Sequence, residues 1–157
     1  MGTVRPSLNT PKIDAPQRQA PVEIERFVTE LLTAWNIRDL DRVADFYAPS
    51  YTGIDVAQRA PHHGPQGVRH TLARYVRAFP DLRFRRERVI SDGDCIAVAW
   101  VARGTHRGPL MKIPPTGRRI AVRGVSMLTL QNGMVTKGLH IWDVAGLLRA
   151  LGLLPDL

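Results

Sequence analysis

The chain has 157 residues, 44% of them hydrophobic, and a formal charge of +8, which gives enough material for one real core and not for two. No apolar run approaches the roughly 18 residues that a membrane span requires, and the single cysteine, Cys95, excludes both an intrachain disulfide and a cysteine-based metal site. Residues 1–20 scatter Pro6, Pro11 and Pro16 among polar residues without the apolar segment of a secretory signal, so they read as a flexible tail ahead of one domain over 21–157, with no membrane partner and a cytoplasmic default location.

From Pro21 onward, Ile24, Phe27, Val28, Leu31 and Trp35 recur at helical spacing, with Glu23 and Glu25 suited to the positive end of a helix. Asp39 can cap a second helix from Leu40 to Tyr47, which Pro49 stops. A short strand is expected over Ser50 to Ile54, followed by a loop carrying Pro61, His62 and His63. Pro65 then opens a third helix with Val68, Leu72, Tyr75 and Phe79 on one face.

Strand patterning takes over at Leu82 to Ile90 and continues through Cys95 to His106. A proline-bearing loop, Gly108 to Gly117, leads to strands over Arg119 to Leu130 and Met134 to Asp143. Asn132-Gly133 between them is a strong hairpin signal. Val144, Leu147, Leu148 and Leu151 form a terminal helix. Helices first and a meander of long strands afterwards make the fold class α+β, with the helices against one face of a curved antiparallel sheet. Such a sheet leaves a pocket for a small hydrophobic ligand, and its uncovered face suits a homodimer.

Positive charge of this size invites nucleic acid or an acidic partner. Of the 22 basic residues only Lys12, Lys112 and Lys137 are lysines, and the densest cluster is Arg83, Arg85, Arg86 and Arg88. Alternation along a strand sends the first two to one face and the last two to the other, and no zinc-finger or RNA-binding motif accompanies them. No nucleic-acid partner is expected.

Chemistry is sought among groups that can move protons. His106 closes its strand on the side of Ile96, Val98, Trp100 and Ala102, and His140 shares a face with Trp142. Imidazoles opening on an apolar cavity stay neutral near pH 7 and serve as bases. Asp143, between the last strand and the terminal helix, is a candidate helix cap or a partner for His140. Tyr47 and Tyr51 offer phenols, whereas Tyr75 fits the core stripe of its helix. His62 and His63 match no metal-ligand spacing, and no phosphate loop, dinucleotide fingerprint or Gly-x-Ser-x-Gly elbow is present.

The chain resembles the SnoaL-like polyketide cyclases, or ester cyclases. The resemblance rests on Ala78-Phe79-Pro80-Asp81-Leu82, Gly93-Asp94, Gly104-Thr105-His106-Arg107-Gly108, Ile113-Pro114-Pro115-Thr116-Gly117-Arg118, Asn132-Gly133, and Trp142-Asp143 through Gly146-Leu147-Leu148-Arg149-Ala150-Leu151-Gly152. It implies an α+β cone related to ketosteroid isomerase and nuclear transport factor two. It also implies acid–base chemistry on hydrophobic natural-product intermediates, without cofactor or metal. The family often places a carboxylate two residues before the last strand's Trp, where this chain has His140, and its terminal-helix Gln is Ala150 here.

The expected function is therefore a cofactor-independent cyclase of secondary metabolism, closing a ring by aldol or epoxide-opening chemistry. His140, His106 and Asp143 are its expected catalytic residues, and Tyr51, Tyr47, Trp100 and Trp142 its substrate-binding ones. The alternatives are an epoxide hydrolase or hydroxylase-type relative using the same pocket, and a non-catalytic ligand-binding module on the same fold.

Overall fold

The computed structural model describes residues 21–156, so the tail expected over residues 1–20 lies outside the described residues. In chain order the elements are α1 (Pro21–Ile37), α2 (Leu40–Ala44), β1 (Tyr47–Asp55), β2 (His62–His63), α3 (Gly64–Ala78), β3 (Arg83–Asp92), β4 (Cys95–Thr105), β5 (Arg119–Gln131), β6 (Met134–Trp142) and α4 (Val144–Ala150). The six strands form one sheet in the order β2-β1-β6-β5-β4-β3. No helix among the described residues is long and apolar enough to cross a membrane.

The architecture is α+β, but the sheet is mixed where a purely antiparallel one is expected. β3 to β6 form an antiparallel meander, whereas β1 pairs parallel to β6. Parallel neighbours need a long crossover, which the intervening chain from α3 through β5 supplies. The second helix ends at Ala44, earlier than its sequence pattern indicates, because β1 already begins at Tyr47. Pro49 lies inside β1, in the irregular stretch between Tyr47 and Thr52 where pairing to β6 shifts register, one of the few places a strand tolerates proline.

Two further irregularities decide which side chains point inward. In β6 the pairing shifts between Thr129 and Leu130 of β5. Val135 sits in the core opposite Leu130, and unbroken alternation from it would turn His140 outward. The extra residue at Thr136 restores Gly138, His140 and Trp142 to the inner face, opposite Leu128, Ser126 and Gly124. A second shift, between Arg86 and Arg88, pairs Arg86 with Trp100 and Arg88 with Ala99. Arg88 therefore joins Arg83 and Arg85 on the outer face, contrary to simple alternation, and Glu87 lies between Arg85 and Arg123, 3.6 and 3.5 Å away.

The inner face carries the core: Ile96, Val98, Ala102, Ile120, Val122, Leu128 and Leu130 are all buried against Val28, Leu31, Val68 and Leu72 of the helices. Helix α1 is tied to β3 by Asn36, whose amide donates to the Phe84 carbonyl (2.9 Å) and accepts from the Phe84 N–H (2.7 Å). That exchange mimics a strand neighbour and protects part of the β3 edge. The hairpin expected at Asn132-Gly133 is present, with both residues at positive φ (52° and 75°), the geometry a tight two-residue turn demands.

The turn after α3 is fixed by Asp81. Its carboxylate accepts from the Thr105 N–H and hydroxyl, both at 2.7 Å. Desolvation acts to raise its pKa, but these hydrogen bonds, with Arg107 nearby, prevail and hold it below the usual carboxylate range. Its stabilisation is therefore in place above the unfolded-state pKa and fades as pH falls through the folded one. Asp81→Ala is expected to lower stability by about 1–3 kcal/mol in urea denaturation at pH 7, with the difference from wild type shrinking toward pH 3.

Candidate active site

The curved sheet and the helices enclose a cavity of about 140 Å³, walled by Val28, Leu31, Trp35, Val98, Leu128 and other apolar side chains. That volume resembles a cavity of roughly 150 Å³ known to take a benzene-sized guest, so a larger ligand must extend through the mouth. Its polar groups come from β1, β2 and β6, with Thr71 and Tyr75 added from α3 and Ser126 from β5.

Where β1 and β6 meet, the parallel register places Gly53 beside Gly138, and Asp55 beside His140. A Cβ on Gly53 would overlap the Tyr51 hydroxyl and the His62 ring, and one on Gly138 would crowd Tyr51 and His140. The two glycines thus leave the space in which these three side chains meet. The Tyr51 hydroxyl lies 3.2 Å from His62 Nε2 and 3.3 Å from His140 Nε2, and the two imidazoles stack with centroids 6.1 Å apart. Behind His140, Ser126 Oγ is 2.8 Å from Nδ1 and accepts from the Trp100 indole N–H at 3.0 Å.

One arrangement of protons satisfies every contact in this chain: Ser126, accepting from the Trp100 indole, donates to His140 Nδ1, His140 donates from Nε2 to Tyr51, and Tyr51 donates to His62 Nε2. The remaining nitrogen, His62 Nδ1, is buried without a partner.

Charge is held out of this pair and placed next to it. Burial, reinforced by His62, pushes the His140 pKa down to about 4 against the pull of Asp55. Burial likewise lowers His62, opposed by Asp55 and aided by His63 and Arg74. Burial raises the Tyr51 phenol far above its ordinary range, with Tyr47 and Asp55 adding to it. Burial pushes Tyr47 up to about 12, against a hydrogen bond with Trp35 that acts to lower it. All four groups are therefore uncharged at pH 7.

Asp55 is the carboxylate of the cavity wall, only 4% exposed. It accepts from the Ala57 N–H and the Trp142 indole, both at 2.9 Å, from the Tyr75 hydroxyl at 2.7 Å and from Gln58 at 3.4 Å. Four donors occupy its lone pairs, so it orients Tyr75 and Trp142 and supplies a fixed negative field rather than an open base.

Among the residues expected from sequence, His140, Tyr51, Tyr47, Trp100 and Trp142 all line this cavity. His106 and Asp143 do not. The His106 ring is fully buried behind the sheet's end, packed on Phe79, with Nδ1 accepting from the Thr116 N–H at 3.2 Å. β4 ends at Thr105, so His106 leaves the strand's alternation and holds the following loop instead. Asp143 is exposed and caps α4, accepting from the Gly146 N–H at 2.7 Å. Asp55, His62, Thr71, Tyr75 and Ser126 are the cavity's additional polar residues. Asp55 was accessible by alternation from Tyr51, whereas His62 reaches the site only through the β1–β2 pairing.

The model of the SnoaL-like polyketide cyclase family matches residues 25–151. The chain belongs to that family. The relative nogalonic acid methyl ester cyclase of Streptomyces nogalater is 27% identical over 124 residues, covering 78% of this chain and 92% of its own. Among solved structures, AclR of Streptomyces galilaeus, a proposed hydroxylase, superposes with a TM-score of 0.78 at 25% identity, covering 88% of this chain and 90% of its own. IdmH of Streptomyces antibioticus, a proposed polyketide cyclase, does so at 0.71 and 26%, covering 82% and 97%. A ketosteroid-isomerase-like protein of Catenulispora acidiphila, 18% identical with a TM-score of 0.71 and coverage of 87% and 96%, shares the fold. For this SnoaL-like chain, secondary metabolism is the setting that the family supports.

Depressed basicity at His140 has a thermodynamic consequence. Between the unfolded imidazole's pKa of 6.5 and the folded value of about 4, the unfolded chain binds the proton and the folded one does not, so stability falls as pH falls through that window. Urea denaturation from pH 7 to pH 4 should show a progressive loss reaching about 3 kcal/mol from this group, and His140→Gln should remove that component of the slope.

Proposed function

We propose that this SnoaL-like protein closes a ring in a hydrophobic polyketide-type intermediate by acid–base catalysis within the Tyr51-bridged histidine pair. The observation carrying the reading is that bridge, set into the wall of a largely apolar cavity. A substrate carbonyl that replaces Tyr51 as acceptor of the His140 Nε2–H is polarised, which acidifies the adjacent C–H bond. The Tyr51 oxygen takes that proton while passing its own to His62 Nε2, whose cation Asp55 favours. The enolate carbon attacks a second carbonyl of the same molecule, and the alkoxide so formed recovers the proton through Tyr51. Substrate and product are isomers, and no proton is gained or lost overall.

Trp100 and Trp142 shape the cavity, and a folded-up substrate between them gains from enforced proximity of its reacting carbons. A hydroxylase-type reaction is the second reading, favoured by the likeness to AclR. It differs in its product, which carries an added oxygen. A homodimer is proposed on the strength of the outer sheet face, where Ile54, Val125, Met127 and Ile141 are exposed in adjacent strands and a second copy would cover them. Light scattering in solution should then give twice the chain mass, and Met127→Glu should halve it.

With nogalonic acid methyl ester as substrate, His140→Gln and His62→Gln should each lower kcat by about 10²- to 10⁴-fold while far-UV circular dichroism stays unchanged. The wild-type product should have the substrate's mass and one more ring. Full turnover in both variants would remove the pair from the chemistry. A product heavier by one oxygen would move the assignment to hydroxylation.

A further inference from the structure

Outside the cavity, one face of α3 and the loop from Ala57 to Pro61 form a second, polar groove. Gln66, His70 and Arg74 line it from α3, spaced four residues apart and so on one side of the helix. Arg59 lines it from the loop, and His63 from β2. No Asp or Glu is among the residues lining it. Arg26, Arg69, Arg85, Arg86 and Arg123 each have a carboxylate within ion-pair distance, whereas the groove gathers two arginines and two histidines, His63 and His70, with no acidic side chain on its walls. Among the described residues neither Arg59 nor Arg74 has a carboxylate within ion-pair distance.

This groove and the inner cavity share two lining residues, His62 and Thr71. His62 therefore belongs at once to the bridged pair and to a cationic surface beyond it. A molecule seated in the cavity must emerge through its mouth, because the enclosed volume holds little more than one ring. A concave surface with two guanidinium groups and no carboxylate on its walls, Asp55 lying behind it and engaged by Ala57 and Gln58, offers Arg forks that match a carboxylate or phosphate.

We propose that the groove holds an oxyanion joined to the apolar body of the substrate, clasped by Arg59 and Arg74, while the reacting ring system lies in the cavity. The inference rests on the cavity being the substrate site, and it adds a preference of this chain: an acidic substrate over its neutral ester. The oxyanion is either the substrate's own carboxylate or the phosphate of a pantetheine arm bearing it. Both present the same chemistry to two guanidinium groups.

The test is a binding titration on the full chain, read by quenching of tryptophan fluorescence, with nogalonic acid, its methyl ester and 4′-phosphopantetheine as probes. The acid should bind at least about tenfold tighter than the ester, the size of one charge-assisted hydrogen bond. That advantage should shrink with added salt and vanish in the Arg59→Gln/Arg74→Gln double variant. Salt-sensitive binding of 4′-phosphopantetheine that the double variant loses, without an acid preference, identifies the phosphate as the oxyanion. If acid and ester bind alike and the phosphate does not bind, the groove proposal is overturned, and His140-dependent ring closure of the ester can still stand. If the acid binds through the two arginines but neither form is cyclised, the groove stands and ring closure fails. Binding by none of the three overturns the groove proposal.

Discussion

The site depends on two missing side chains. Gly53 and Gly138 sit opposite each other in the parallel pairing of β1 with β6, and only their lack of a Cβ lets the Tyr51 hydroxyl stand between His62 and His140. The close approach matters because each imidazole alone would be an unremarkable buried histidine. Linked through a phenol, they form one hydrogen-bonded network in surroundings that resist net charge, and the reaction we propose uses it to pass a substrate proton through Tyr51 to His62. Gly124 performs a related service nearby, since a Cβ there would overlap the Trp100 ring and the Cβ of Trp142.

Electrostatics then separates the roles. A buried carboxylate is the common base for carbon acids, and this cavity has one, but Asp55 is consumed by four donors and acts through its field. It favours charge on the histidines while burial opposes it, and at both His62 and His140 burial prevails. In the reaction we propose, the proton taken from the substrate passes to His62, at the boundary with the outer groove. The same boundary residue lines both the apolar cavity and the groove of Arg59 and Arg74, which is where the proposed anchoring and proton transfer would meet.

Much of this was legible in the sequence, and the failures have identifiable physical causes. The hairpin at Asn132-Gly133 and the amphipathic helices follow from local rules, and alternation correctly grouped His140 with Trp142. Ser126 stayed hidden because a simple hairpin count pairs His140 with Val125; the bulge at Thr136 moves its partner by one residue. His106 looked like a cavity residue because its strand was counted one residue too long. Asp143 behaved as the capping preference of Asp implies. His62 is the instructive case: two residues of strand, in a loop by every local measure, enter the site through long-range pairing to Thr52 and Gly53. The family resemblance pointed to the position of His140 but carried no information about its partners here.

The most direct test of the account removes one oxygen atom. The rate of ring closure of nogalonic acid methyl ester would be compared between wild type and Tyr51→Phe, which keeps both histidines, the cavity shape and the aromatic packing. If the phenol carries the substrate proton to His62, the rate falls by about 10²-fold or more with substrate affinity little changed. If Tyr51→Phe closes the ring at the wild-type rate, the histidines do not work as a bridged pair, and the central claim is wrong.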